Sequence, residues 1–578
     1  MTRRQTPAVP ANGTGETCWT GPAGSMRGSG RGWAALLVIV AVSILIRVPA
    51  LIEPWGADQS VFAFIAHGML EGKVPYRDLY SSTGYGIFFL YAGLFRAFGD
   101  AMIVLHLADL AAALVTVLCV WAAARRIAGP RAGLAAAALQ GVLGAGISFS
   151  TLYEMATAAG PYWALAQRES FMAPLLAGSL LVVLDRGGDR PVGRPLLRAV
   201  VSGVLVGLAA VLKLTAVLFL PVLLIAPLVM ARDARGLSDG GRAAAPVRSH
   251  ALALLAGFGI AQIPFLGYFI SHGALGAMAS ALFLQGAAYA GLSRGARVET
   301  FVCGHAMLLG ETLPVWALAL AGGARIVRGA VRGNALLALL SGLAALLSVW
   351  GQMKFFGYHF LVLMPFLCIL AGIGFEGAML RGRPVRQALA EDIREPYPAA
   401  TWALLGVFLF LFVGGNYVHL RWDVLRLAGR LTETQHIERF NEYPRHFYSA
   451  RANREVALYL RQTAPAGASL RAVNDGGDLV VFHWAPLSSP TRFTSSWYLF
   501  NQALLGRAAT RALRREFIEE TIRARPDYLL LVYYALEDWP RIYPLDTETD
   551  IRMFYEFIRD GYRLEKRFRD GRDLYRRL

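Results

Sequence analysis

The chain has 578 residues, of which 55% are hydrophobic and 17% charged, and it carries a formal net charge of +17. Its apolar residues come in repeated runs of helix-spanning length, a membrane composition rather than that of a soluble globular chain. The basic excess does not point to nucleic acid, because the arginines cluster in short loops between apolar runs, as the positive-inside rule expects.

Residues Met1 to Gly32 are rich in Gly, Thr, Ala and Arg and read as a disordered cytoplasmic tail. The run from Trp33 to Ile52 is too long for a signal-peptide core and lacks a clear small-residue cleavage site, so it is expected to stay as an anchor. Further apolar runs begin near Ala101, Ala132, Arg168, Val200, Thr215, His250, His305, Asn334, Gly357 and Ala400. Together they give about eleven spans of an inner (plasma) membrane protein with a cytoplasmic amino terminus. Arginine loops set the parity: Arg125, Arg126 and Arg131; Arg186, Arg190, Arg194 and Arg198; Arg232, Arg235, Arg242 and Arg248; Arg325, Arg328 and Arg332; Arg381, Arg383 and Arg386.

That parity makes the run from Val200 to Met230 cross twice, as a hairpin turning near Lys213, with a single long tilted helix as the competing reading, and it leaves Gly84 to Gly99 in the interface rather than across the bilayer. It also places everything after Val418 outside. There an amphipathic helix near Ala452 to Thr463, strands at Leu479 to Trp484 and Tyr528 to Tyr533, and helices near Arg511 to Ala524 and Ile551 to Arg559 predict a small α/β domain. The segment "NDGGD", Asn474 to Asp478, reads as a turn. The fold class is thus mainly α: a polytopic membrane helical bundle over residues 33–420, with its first outer loop at 53–100, followed by a soluble extracytoplasmic α/β domain at 421–578.

Charge at the edge of a membrane is costly, so each charged residue that interrupts an apolar context on the outer side is a candidate for function. The first outer loop reads "EPWGADQSVFAFIAHGMLEGKVPYRDLYSSTGYGIFFLYAGLFRAFG". Asp58 opens an amphipathic helix there, where a carboxylate also serves as a helix cap. Lysine is rare in this chain, confined to Lys73, Lys213, Lys354 and Lys566, and two of these fall at the same predicted outer level. The four cysteines, Cys18, Cys119, Cys303 and Cys368, are too scattered for a disulfide framework or a zinc site. No second His or carboxylate lies at ligand spacing beside His359, which therefore reads as a satisfied interface histidine; no metal ligands are assigned and a divalent metal is not indicated.

The order of these features resembles the GT-C superfamily of integral-membrane glycosyltransferases, in the branch of protein O-mannosyltransferases, the aminoarabinose transferase of lipid A and the bacterial family 39 enzymes. The matching residues in the first loop are Asp58-Gln59, the helix from Ser60 to Leu70, Gly72, and the turn Pro75-Tyr76-Arg77-Asp78. Downstream, "AQRESFMAPLLAGSLLVV" is similar to the family's second acidic site and places Glu169 there. "GVLVGLAAVLKLTAVLFLPVLL" is similar to its lysine-interrupted hairpin, and "WGQMKFFGYHFLVLMPFLCILAGIG" to its late outer-loop signature. The chain departs from the pattern at Gln59, which replaces the usual second acid and leaves one carboxylate fewer, at Thr83-Gly84, and at Phe360.

The resemblance implies inverting, metal-independent transfer of a sugar from a polyprenyl-phosphate donor to a hydroxyl of a lipid, polysaccharide or protein, with no cofactor required. Such a reaction needs a base for the acceptor proton and cations for the departing phosphate. On this reading Asp58 is the base, and Glu169 beside Arg168 orients the acceptor or holds the base. Lys213, Lys354 and His359 meet the phosphate, while Gln59, Tyr76, Arg77 and Asp78 contact substrate. Two other classes compete. A transporter or flippase of a lipid-linked substrate would carry pseudo-symmetric halves, which are not apparent, and a polysaccharide polymerase or ligase would concentrate its arginines in a late loop. A non-catalytic assembly partner would tolerate loss of Asp58. Donor and acceptor specificity is expected in outer loops such as His272 to Thr300 and in the last domain.

Overall fold

The computed structural model describes residues 29–144, 165–184, 195–234, 244–285, 297–331, 334–379, 421–438 and 448–578. The expectations for most of the amino-terminal tail, for the arginine loops within 185–194 and 380–399, and for the apolar run from Ala400 lie outside these residues.

Among the described residues the structure is mostly helical. Five helical stretches are long and apolar enough to cross a bilayer: Gly32–Ile52, Met102–Ala128, Pro195–Leu212, Val247–Ser271 and Ala335–Gln352. Shorter apolar helices accompany them, and large apolar side chains such as Leu37, Leu45, Ile263 and Leu320 point outward, two-thirds exposed, as lipid-facing residues do. The first helix, α1 (Ser29–Arg47), ends on a buried arginine whose guanidinium donates to the Gly141 carbonyl at 3.2 Å. Two helices of the segment between the first two long apolar stretches follow, α2 (Ala57–Leu70) and α3 (Gly86–Phe98). The 13 residues of α3 make about 20 Å of helix, short of the ~30 Å hydrocarbon core. An antiparallel pair, α4 (Met102–Ala128) and α5 (Pro130–Leu143), turns at Gly129 and leads to α6 (Arg168–Val183).

The turn at Lys213 follows from how the next helices pack. Helix α7 (Pro195–Leu212) stops where Lys213 takes an extended conformation (φ −155°, ψ 123°), and the chain continues through a 3-10 turn at Leu214–Phe219 and the short helices Leu220–Leu224 and Ala226–Ala234. Helix α8 (Ala244–Ser271) lies along α7 so closely that a Cβ on Gly203 would stand 2.0 Å from the Leu254 carbonyl oxygen. Further on, Gln262 donates to the Gly207 carbonyl at 2.9 Å. The two contacts advance together along both helices, so α7 and α8 are parallel and the chain between them must return. Lys213 is therefore the tip of a hairpin and does not sit inside one long tilted helix. The remaining helices of the bundle are α9 (Arg297–Val327), α10 (Ala335–Gln352) and α11 (Met364–Met379).

The C-terminal domain is built on a four-stranded sheet of order β1-β2-β4-β3: β1 (Leu470–Val473), β2 (Tyr528–Val532), β3 (Tyr562–Phe568) and β4 (Arg572–Arg577). Strands β1 and β2 are parallel; β4 runs antiparallel to both β2 and β3. Strand β2, "YLLLV", is apolar on both faces because both are covered. Leu530 and Val532 pack with Val456 and Leu460 of α12 (Ala450–Thr463). Leu529 and Leu531 join the larger core that includes Phe517 of α14 (Ala508–Ala524) and Phe554 and Ile558 of α15 (Thr549–Gly561).

The segment Leu479 to Trp484, expected as a strand, is instead the short helix α13 (Val480–Trp484). A brief apolar run carries no decisive period, and here its Phe482 packs against Phe64 of α2 with ring centroids 5.1 Å apart. The strand adjoining β2 at this edge of the sheet is β1, whose pattern is masked by Arg471. That arginine is buried, lies over the Phe517 ring at 4.7 Å and donates to Thr491 Oγ1 at 3.1 Å.

Arg514 on α14 is fully buried between the carboxylates of Glu548 and Asp550, its Nε 2.8 Å from Asp550 Oδ2. Arg514→Ala leaves Asp550 without its cation while Glu548 keeps Arg511 at 3.1 Å, and the expected cost is about 3–5 kcal/mol. It would appear as a lower midpoint for the C-terminal domain in thermal unfolding of the purified protein. An unchanged midpoint would show that Asp550 finds another partner.

Candidate active site

Three segments remote in the sequence meet at the amino-terminal end of α2. The first is α2 itself, where Asp58 lies in the first turn and Ser60 donates to the Gly56 carbonyl at 2.7 Å. A carboxylate there is favoured by the unpaired amides of the helix start. The side chains of Tyr358 and Gln167 hydrogen-bond to Asp58, and Arg168 is the cation that acts on it. Asp58 is deep in the protein yet retains accessible surface, which is the position of a group lining a cleft. Burial raises its pKa above that of an ordinary aspartate, against the opposing pull of Arg168.

The second segment is the start of α6. Ala166 sits just before it in the left-handed region (φ 48°), a conformation that costs a non-glycine residue energy unless its surroundings fix it. They do. The Ala166 amide donates to Asp109 Oδ1 at 2.9 Å, its carbonyl accepts from the Tyr91 hydroxyl at 2.7 Å, and the neighbouring Leu165 carbonyl accepts from Gln59 Nε2 at 2.5 Å. This clamp presents Gln167 and Arg168 to the cleft and buries Glu169 completely.

The third segment is the loop after α10. Met353 and Phe355, on either side of Lys354, are both left-handed (φ 53° and 51°), and a 3-10 turn at Gly357–Val362 then carries Tyr358 and His359. Burial, with Lys213 and Arg168 adding like charge, lowers the Lys354 pKa to about 7. Lys213 completes the group from the hairpin tip, donating to both Glu169 Oε1 and Gln352 Oε1. His359 Nε2 lies 4.0 Å from the same Glu169 oxygen.

Asp58, Arg168, Lys213 and Lys354 all keep some accessible surface, whereas Glu169 and His359 are buried behind them. Two carboxylates therefore face three cations, and one carboxylate, Glu169, is already bound by the Lys213 ammonium. The cleft is left with Asp58 on one side and a surplus of positive charge, an arrangement that suits an anion held near a base. A lysine ammonium occupies Glu169, so the pair Asp58 and Glu169 is a poor metal cradle.

The other sequence candidates lie elsewhere. Gln59 is buried and committed to the Leu165 carbonyl. The buried Tyr76 donates to the Thr83 carbonyl at 2.5 Å. Arg77 is exposed, paired with Asp78 at 2.8 Å, and donates to the His272 carbonyl at 2.8 Å. This stretch instead receives the C-terminal domain: the Tyr80 amide donates to the Arg492 carbonyl at 2.7 Å, Thr494 Oγ1 to the Tyr80 carbonyl at 2.7 Å, and Arg492 Nη1 to the Tyr76 carbonyl at 3.2 Å.

Gln167, Tyr358 and Gln352 were not anticipated, although the first two adjoin Arg168 and His359. Nor was the role of "NDGGD". That turn, held by Asp475 on Ser496 at 2.7 Å and Asp478 on Arg572 at 2.8 Å, puts Gly477 directly on the first turn of α2. A Cβ on Gly477 would meet the Ala57 carbonyl oxygen at 2.6 Å, and the residue's φ is 128°.

Among solved structures the chain is similar to the oligosaccharyltransferase AglB of Archaeoglobus fulgidus, in complex with an inhibitory peptide and a dolichol-phosphate. The TM-score is 0.51 at 13% identity, covering 92% of this chain and 72% of that one. It is also similar to ArnT of Cupriavidus metallidurans bound to undecaprenyl phosphate, with a TM-score of 0.52 at 15% identity, covering 94% and 98%. Both neighbours are GT-C superfamily glycosyltransferases, and at these identities the likeness shows a shared fold. No family model and no curated protein matches the sequence.

Gly477→Val is expected to push the start of α2 out of place. The check is amide hydrogen exchange at Ser60, whose N–H donates to the Gly56 carbonyl at 3.0 Å. Exchange there should quicken in the variant, and unchanged protection would mean that α2 holds its position without the turn.

Proposed function

We propose that this protein is a membrane glycosyltransferase that moves a sugar from a polyprenyl-phosphate donor to a hydroxyl acceptor, with Asp58 as the base. One observation carries the reading: an accessible, desolvated carboxylate shares a cleft with Arg168, Lys213 and Lys354 while the neighbouring acid is locked to a lysine. The ligands bound to the two structural neighbours, dolichol-phosphate and undecaprenyl phosphate, are the chemistry that such a cation set fits. The proposal includes about eleven spans, a cytoplasmic amino terminus and an extracytoplasmic C-terminal domain, in line with the distribution of arginines.

In the proposed reaction the acceptor oxygen attacks the anomeric carbon from the face opposite the phosphate. Its proton passes to Asp58 as the new C–O bond forms. The bond from the anomeric carbon to the phosphate oxygen breaks with its electron pair, and the configuration inverts. Negative charge grows on the departing polyprenyl phosphate, where Arg168, Lys213 and Lys354 stabilise it. A raised pKa makes Asp58 a better proton acceptor than a free aspartate. Glu169 keeps Lys213 charged and in place, and Gln167 and Tyr358 aim the base. No step requires a metal or other cofactor.

The direct test is incubation of the purified protein with a panel of polyprenyl-phosphate sugars and candidate acceptors, followed by release of polyprenyl phosphate. Asp58→Asn should lower turnover by about 10²–10⁴-fold while leaving donor binding intact. Full activity in a folded Asp58→Asn variant would remove the base from the mechanism.

The pH dependence has a definite sign. Asp58 must be deprotonated, so kcat/KM should climb with pH through a midpoint above the ordinary aspartate value of about 3.9. Lys354 must be charged to receive the phosphate, so kcat/KM should decline as the pH passes about 7 and the free enzyme loses that proton. Lys354→Arg should move the descending limb upward and leave the ascending limb in place. A descending limb that does not move would assign it to another group.

A further inference from the structure

Away from the cleft, three side chains from distant parts of the sequence converge at the junction of residues 53–100 with the C-terminal domain. They are His67 in the last turn of α2, Asp100 between α3 and α4, and His483 in α13. His67 Nε2 is 3.8 Å from Asp100 Oδ2, and one ligand atom from each of the three residues lies within 4.8 Å of the others. We propose that this is a zinc site that fastens the C-terminal domain to the helix carrying Asp58. The proposal is independent of the reaction assigned to the cleft.

The donor set suits the ion. Two imidazole nitrogens and one carboxylate oxygen are ligands of zinc, whereas calcium and magnesium prefer oxygen alone. Zinc bonds of about 2.0–2.1 Å in tetrahedral geometry set ligand atoms roughly 3.3–3.5 Å apart. The His67–Asp100 pair is close to that spacing already. Asp100 can adjust toward that spacing, because its side chain is 63% exposed. Both rings are held in place: His67 stacks on Phe95 with centroids 4.8 Å apart, and His483 packs on Trp55 at 4.6 Å.

The placement gives the ion a structural purpose. Each ligand belongs to a separate segment, so the ion would tie α2 and the α3–α4 junction to α13. Helix α2 would then be fixed at both ends: at its start by Gly477 against Ala57, and nine residues beyond Asp58 by the metal. A simple ion pair between His67 and Asp100 would not need the second imidazole.

The test uses the full-length protein in detergent, stripped with a chelator, dialysed against zinc, and assayed for metal content and thermal stability. The expected result is one zinc per chain with a raised thermal midpoint. Cobalt in its place should give the visible bands of a tetrahedral N/O site. Asp100→Ala removes only an exposed side chain and should weaken zinc binding by at least about tenfold. His67→Ala and His483→Ala should abolish both binding and the gain in stability. Wild-type protein that takes up no stoichiometric zinc would overturn the proposal, as would Asp100→Ala and His67→Ala variants that bind it unchanged.

Discussion

Charge buried at the edge of an apolar bundle must be paired or it is expelled, and the contact of Lys213 with Glu169 is where this constraint is met. Removing either partner would leave an uncompensated ion inside the protein. The pair therefore fixes the hairpin tip against the start of α6, and Gln352 ties the same ammonium to the end of α10. Three helical segments are registered to one another by one lysine, and the cleft between Asp58 and the cations depends on that registration.

The backbone is strained around this point. Ala166, Met353 and Phe355 all take left-handed conformations in the segments that carry Arg168 and Lys354. Such residues persist only where their surroundings over-determine them, and the clamp of Asp109, Tyr91 and Gln59 on residues 165–166 is the clearest case. The C-terminal domain takes part in the same way. It contributes no charged group to the cleft among those described above, but Gly477 presses on Ala57 and the segment 492–494 binds residues 76–80. The C-terminal domain is thus part of the scaffold of the site.

Much of this was legible in the sequence because it follows from the cost of charge and from the length of apolar runs. The first anchor came from the length of its apolar run, the hairpin at Lys213 from the parity of the arginine loops, and the candidates Asp58, Arg168, Glu169, Lys213, Lys354 and His359 from charges that interrupt apolar context together with the family resemblance. Neutral polar residues gave no such signal, so Gln167, Tyr358 and Gln352 were missed. The turn Tyr76-Arg77-Asp78 was assigned to substrate on the family resemblance alone, which carries no sign of the contacts that residues 76–80 make with the C-terminal domain. In the C-terminal domain, β1 was hidden by its buried Arg471, and the hairpin of β3 and β4 by its many charges. A clue to that hairpin was present in Asp570-Gly571, whose left-handed pair (φ 56° and 67°) makes the tight turn.

The central claim is that a polyprenyl phosphate binds with its headgroup among Arg168, Lys213 and Lys354, facing Asp58. A structure determined with polyprenyl phosphate bound tests it most directly. The account predicts phosphate oxygens within hydrogen-bonding distance of Lys354 and Arg168, with the Asp58 carboxylate across the cleft from them. A headgroup seated elsewhere on the protein, with these side chains out of reach, would contradict it.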